Sequence, residues 1–205
     1  PGSGDPGRQF DVVVRRMTPG SGSGPVRRLS RSRWGDWRPA IAVTSGGSVC
    51  VAWDRYDGES YDVVARWQVN DQWLPAVVVA EGPAFQGRVS LAAAAPNRAW
   101  CVWEEGGEAW GKDYFGIAGD WNNVTDHYGP LHRFRTLSVV QLVDDGQVLA
   151  TDPLPMPMIP VASSRPNIRP GVTLLGLYYE RGQLVVDRNG DPWVFYRHFY
   201  APQVG

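Results

Sequence analysis

Short apolar runs, each closed by an aromatic and then by charge, set the rhythm of this chain. Val49-Cys50-Val51-Ala52-Trp53 gives way to Asp54-Arg55. Ala99-Trp100-Cys101-Val102-Trp103 gives way to Glu104-Glu105, and Pro192-Trp193-Val194-Phe195-Tyr196 to Arg197-His198. Runs this short, rich in Val and aromatics and bounded by turn residues, read as β-strands rather than helices. A second run precedes each one: Ala40-Ile41-Ala42-Val43, Val89-Ser90-Leu91-Ala92 and Leu184-Val185-Val186. Between the paired runs lie Gly46-Gly47, Pro96-Asn97 and Asn189-Gly190, which are hairpin signals. A third strand recurs as well, since Phe10-Asp11-Val12-Val13-Val14-Arg15 returns as Tyr61-Asp62-Val63-Val64-Ala65-Arg66. A fourth, more variable strand is predicted over Pro25 to Leu29 and again over Trp73 to Val79.

Four short strands recurring about every fifty residues predict an all-β chain of β-propeller blades. One such sheet cannot bury both faces alone, so neighbouring sheets stack and aromatics fill the wedge between them. The broken alternation of Val49 to Trp53 fits strands covered on both faces. The expected division is a lead over residues 1–9, with Pro1-Gly2-Ser3 read as the scar of a cleaved tag, and repeats over 10–200. Within the repeats, 10–38 is a partial blade, 39–80 a blade, and 81–150 a blade with a long loop. Residues 151–182 form a proline-rich connection and 183–200 a closing partial blade. That is about three blades' worth of four-stranded antiparallel sheet, too little for a closed ring of four to eight. A fragment or half-propeller follows, completed by a second copy or by the remaining blades of a parent protein.

Composition narrows the function classes. A net charge of −1 is no basic footprint, so a nucleic-acid partner is not expected. No apolar run approaches the roughly 20 residues of a membrane-spanning helix, and no membrane partner is expected. The 24 Gly and 17 Pro, spread along the chain, favour turns over long helices. Cys50 and Cys101 have no metal-ligand spacing. Aligning Trp53 with Trp103 sets Cys101 against Val51, so the two thiols are expected on opposite faces of adjacent sheets, buried and free.

Trp103-Glu104-Glu105, Trp110-Gly111-Lys112-Asp113-Tyr114 and the stretch from Val185 to His198 resemble segments of bacterial exported β-propeller proteins. Those segments resemble sialidase-like propellers and are found next to metal-dependent phosphoesterase-like domains of the PHP type. The resemblance implies a non-catalytic, extracytoplasmic binding module. The sialidase Asp-box is not met, because Asp187 and Gly190 are separated by two residues instead of one. The His and Asp ligands of the phosphoesterase domain have no counterpart.

The charged strand ends, Asp54, Arg55, Glu104, Glu105, Arg197 and His198, are predicted to gather at one mouth of the sheet stack. There they can bind a polar ligand such as a carbohydrate, or serve as ion pairs between sheets. Trp110, Lys112, Asp113 and Tyr114, with Trp121 and Tyr128, add a polar and aromatic loop suited to sugar or peptide recognition. His127 and His132 with Asp120 and Asp126 lack helical spacing, so no metal or other cofactor is expected. Asp54 with Glu104 or Glu105 is one acid pair that could flank a glycosidic bond, the alternative being a carbohydrate-active domain. Three arginines at matched positions, which a sialidase-type site would need, are not evident. No Ser-His-Asp elbow or phosphate-binding glycine loop is present, and the expected function is binding or assembly without catalysis.

Overall fold

The computed structural model describes residues 10–20, 22–106, 135–151 and 179–198. Among them every regular element is a strand. A ribbon at the start pairs β1 (Val13–Val14) with β4 (Arg27–Arg28), and its tip holds the small hairpin of β2 (Met17–Thr18) and β3 (Gly22–Ser23). A five-stranded sheet follows: β5 (Asp36–Val43), β6 (Val49–Tyr56), β7 (Tyr61–Val69), β8 (Gln72–Trp73) and β9 (Val77–Ala80), with β8 and β9 both pairing β7. A four-stranded sheet runs in the order β10 (Gln86–Ala95), β11 (Arg98–Gly106), β12 (Arg135–Val143) and β13 (Val148–Ala150). The hairpin of β14 (Tyr179–Val186) and β15 (Pro192–His198) comes last. All pairings are antiparallel, and among the described residues no sheet closes on itself.

The turns follow from local chemistry. Gly47, Gly146 and Gly190 each sit at the same place in a three-residue loop, with φ of +85°, +93° and +89°. Each donates its N–H back to the carbonyl of the residue just before the loop, Thr44, Val143 or Asp187. That left-handed position favours glycine, which has no Cβ to clash.

The layers stack in chain order around three clusters of buried side chains. Val12 and Leu29 of the ribbon region meet Val51, Trp53 and Val64 of the five-stranded sheet. The other face of that sheet, with Cys50, Ala52, Ala65 and Trp67, meets Leu91, Ala99, Cys101, Trp103 and Leu142 of the four-stranded sheet. The far face of the four-stranded sheet, with Val102 and Leu137, meets Tyr179 and Leu184. Small Ala and Cys side chains let the backbones approach while Trp67 and Trp103 fill the space left over. Burying one Trp contributes roughly 5 kcal/mol of apolar transfer, so the tryptophans carry much of the stacking. The turns meet as well: Ser48 Oγ donates to Asp144 Oδ2 at 2.8 Å. A Cβ on Gly46 would lie 2.3 Å from the carbonyl oxygen of Pro96, so this contact between turns leaves no room for a side chain.

Both thiols are free and buried, as expected, but the reason differs. Cys50 points toward the following sheet and Cys101 toward the preceding one, so both enter the same core between the two sheets. Opposite equivalent faces of consecutive stacked sheets are the faces that meet. Burial raises both thiols well above their ordinary pKa, which leaves them protonated and unreactive.

Candidate site at the bulged strand ends

Each of the three long hairpins breaks register at the same place, and β10 does so a second time between Ala93 and Ala95. The shift lies between Trp37 and Ala40 in β5, between Gly87 and Ser90 in β10, and between Glu180 and Gln183 in β14. The residue just inside each break is an arginine with positive φ: Arg38 at +48°, Arg88 at +58° and Arg181 at +57°. A bulge re-aims the strand and releases backbone N–H groups from the ladder. Those groups then need partners outside their own sheet.

The partners are the acids that end the second strand of the preceding sheet. Asp54 on β6 accepts from the backbone N–H of Arg88 at 2.9 Å and of Val89 at 3.3 Å, both on β10. Glu104 on β11 accepts from the backbone N–H of Arg181 on β14 at 2.6 Å. Strand alternation makes this possible, because Asp54 shares a face with Cys50 and Ala52, and Glu104 with Val102. Glu104 is fully buried and also takes guanidinium bonds from Arg88, at 3.1 and 3.2 Å, and from Arg135. Arg88 reaches Glu180 at 3.4 Å, and Glu180 is held in turn by Arg197. One network of charges therefore crosses three layers.

Between the five- and four-stranded sheets this network borders a pocket of about 260 Å³. Trp37, Tyr61 and Phe85 supply its apolar walls, and Arg38, Arg88, Arg135 and Asp54 its polar ones. The Arg135 guanidinium lies over the Phe85 ring, 4.6 Å from its centre. Burial pushes the Asp54 carboxyl up to about 6, against the pull of its two backbone N–H donors.

The expected strand-end charges do not all meet. Asp54, Glu104 and Arg197 belong to the network. Arg55 faces the other way and pairs with Asp62 of β7 at 2.7 Å. Glu105 accepts from Ser138 Oγ of β12 at 2.6 Å. His198 ends β15, in register with Tyr179. Trp110, Lys112, Asp113 and Tyr114 lie outside the described residues, as do Trp121, Tyr128 and the His127 and His132 group.

Arg38, Arg88 and Arg181 were not picked out as a set by sequence reasoning, although a signal existed. Each stands just ahead of a first-strand apolar run, in Trp37-Arg38-Pro39-Ala40, Gly87-Arg88-Val89-Ser90 and Glu180-Arg181-Gly182-Gln183. The three arginines thus recur at one position of the first strands, and of them Arg38 and Arg88 line the pocket. Arg135 opens β12 after a stretch outside the described residues, and nothing local tied it to Glu104.

No family model matches the chain, and no curated protein matches it. Among solved structures the chain is similar to the Hadza microbial sialidase Hz136, with 15% identity over 57% of this chain and a TM-score of 0.36. It spans 25% of that protein's length.

Proposed function

We propose that this chain is an arc of β-propeller blades that works as a non-catalytic binding and assembly module. One observation supports the non-catalytic half above others: the acids placed to do chemistry are engaged in holding the layers together. Asp54 and Glu104 each accept a bulge N–H from the next sheet, and Glu104 is further neutralised by two arginines. A carboxylate fixed in this way is not free to shuttle a proton or attack a substrate. The repeated bulge and the stacking order support the propeller reading.

The outer layers support assembly. The ribbon and the final hairpin contribute two strands each, and both expose apolar side chains. Val13 and Val26 are more than half exposed at one end, and Val185, Trp193 and Phe195 at the other. Apolar sheet surfaces and open edges of this kind recruit a partner, either a second copy or the remaining blades of a parent protein. The sequence resemblance supports reading it as an extracytoplasmic module.

The alternative, a carbohydrate-active domain, draws on Asp54, whose raised pKa beside a pocket suits a general acid. Chromogenic glycosides, including acidic sugars, separate the two readings. The module is expected to bind without turning any of them over. Turnover that is lost in Asp54→Asn would establish the enzyme instead.

A further inference from the structure

The outward face of the last hairpin is apolar and bare. Val185, Trp193 and Phe195 are each more than half exposed, while Leu184 and Val194 pack inward. Val185 opposite Trp193 and Gln183 opposite Phe195 repeat the places of Ala42 opposite Cys50 and Ala40 opposite Ala52 in β5 and β6. Those inner counterparts share a core with Leu91 and Ala93 of β10. A second bare patch lies at the other end of the stack, on β5. Ile41 and Val43, paired with Val51 and Val49, hold the positions that Leu91 and Ala93, paired with Cys101 and Ala99, hold in β10. Leu91 and Ala93 are packed against the preceding hairpin, whereas Ile41 and Val43 are 57% and 60% exposed. The ribbon reaches only Val51, Trp53 and Val64 beside them.

The open edges match as well. Among the described residues β15 pairs only with β14, and β1 only with β4. β15 is the counterpart of β6, and Phe10-Asp11-Val12 repeats the Tyr61-Asp62-Val63 run with which β7 joins β6. In that complete sheet Arg55 lies opposite Asp62 and binds it at 2.7 Å. The same register sets His198 opposite Asp11. One carboxylate oxygen of Asp11 is held by Arg28, and the other is buried with no hydrogen-bond partner among the described residues.

From these matches we infer that a second copy of this chain docks head to tail on the last hairpin. The partner's β1 lies along β15 and forms a composite sheet in the order β14, β15, partner β1, partner β4. The partner's Ile41 and Val43 then cover Val185, Trp193 and Phe195. Each copy gives a hairpin and receives a ribbon, so two copies use the contact twice and close. Main-chain bonds along the joined edges supply affinity, and the apolar side chains fix the register. The contact is not a replica of the inner ones. Arg197 cannot accept a bulge N–H, and Pro39 has none to give where Val89 donates to Asp54. A foreign partner would have to reproduce a patch, an edge and a register that this chain already carries, which favours a second copy. The inference rests on the assembly half of the proposed function and names its partner and surface.

Sedimentation of the intact chain tests it with two variants, Phe195→Glu and Ile41→Lys, made at exposed positions that the separate chain does not need to fold. Each variant alone places an unmatched charge in both contacts of the pair and is expected to weaken pairing at least about a hundredfold. An equimolar mixture of the two is expected to pair again. In the mixed pair the introduced carboxylate and ammonium meet in one contact, and the other contact is wild type. Only a head-to-tail arrangement gives this rescue, and an unfolded variant could not be rescued. Trp193→Glu with Val43→Lys repeats the test at the neighbouring positions. If wild type pairs but the variants pair equally well, or if neither mixture recovers, this surface is wrong and assembly through another one still stands. Wild type that sediments at 22.7 kDa at every concentration would overturn both this inference and assembly by the chain on its own.

Discussion

At Asp54 burial and hydrogen bonding oppose each other. Removing the carboxylate from water raises its pKa, and the N–H groups of Arg88 and Val89 lower it, with burial prevailing at about 6 against an ordinary 3.8. The folded state therefore holds this proton more tightly than the unfolded chain does. The stability linked to it is fully present below about pH 4 and is lost as pH rises through about 6. A shift of roughly two units corresponds to about 3 kcal/mol. Urea titrations of wild type and Asp54→Asn between pH 4 and 7 should show wild type losing about that much relative to the variant. A difference that stays constant with pH would contradict this account of Asp54. At this scale the sequence was informative about charge and uninformative about direction. Asp54-Arg55 and Glu104-Glu105 were legible as charged strand ends, but only the sheet stacking shows that the first of each pair reaches the next layer.

The hairpins were the most legible elements, because Gly47, Asn97 and Gly190 mark turns that any sequence reading can find. The bulges were not legible. They carry no glycine or proline in common, and the residues around Arg38, Arg88 and Arg181 differ in each copy. The cysteines show a related gap: register alone put them on opposite faces, and only the stacking order shows that those faces meet. Position also has consequences at the last hairpin. Arg197 occupies the place that Asp54 and Glu104 hold in the two preceding sheets. A guanidinium cannot accept a bulge N–H, so the outward face of β14–β15 is not built to receive another arginine-bulged strand in the same manner. Glu104 ties β11 to β12 through Arg135 and to β14 through the Arg181 N–H. Glu104→Gln keeps the volume but removes the buried charge that Arg88 and Arg135, the latter with a side chain only 3% exposed, both engage. The expected cost is about 3–5 kcal/mol, read as a lower urea midpoint. A loss below about 1 kcal/mol would mean that the network contributes little to holding the layers.

Across the whole molecule, the stack of ribbon, five-stranded sheet, four-stranded sheet and hairpin is open at both ends among the described residues. The all-β class and antiparallel hairpins were legible because strand and turn signals are local. The pocket was not, since it joins Trp37 of β5, Tyr61 of β7 and Phe85, just ahead of β10, with an arginine from β12. The open outer layers make association the direct consequence of the proposed arc. Two copies would supply about six blades' worth of sheet, within the range of closed propellers. Light scattering during gel filtration measures this directly. The account predicts a particle of about twice 22.7 kDa, and a particle of 22.7 kDa that persists at high concentration would contradict assembly by this chain on its own.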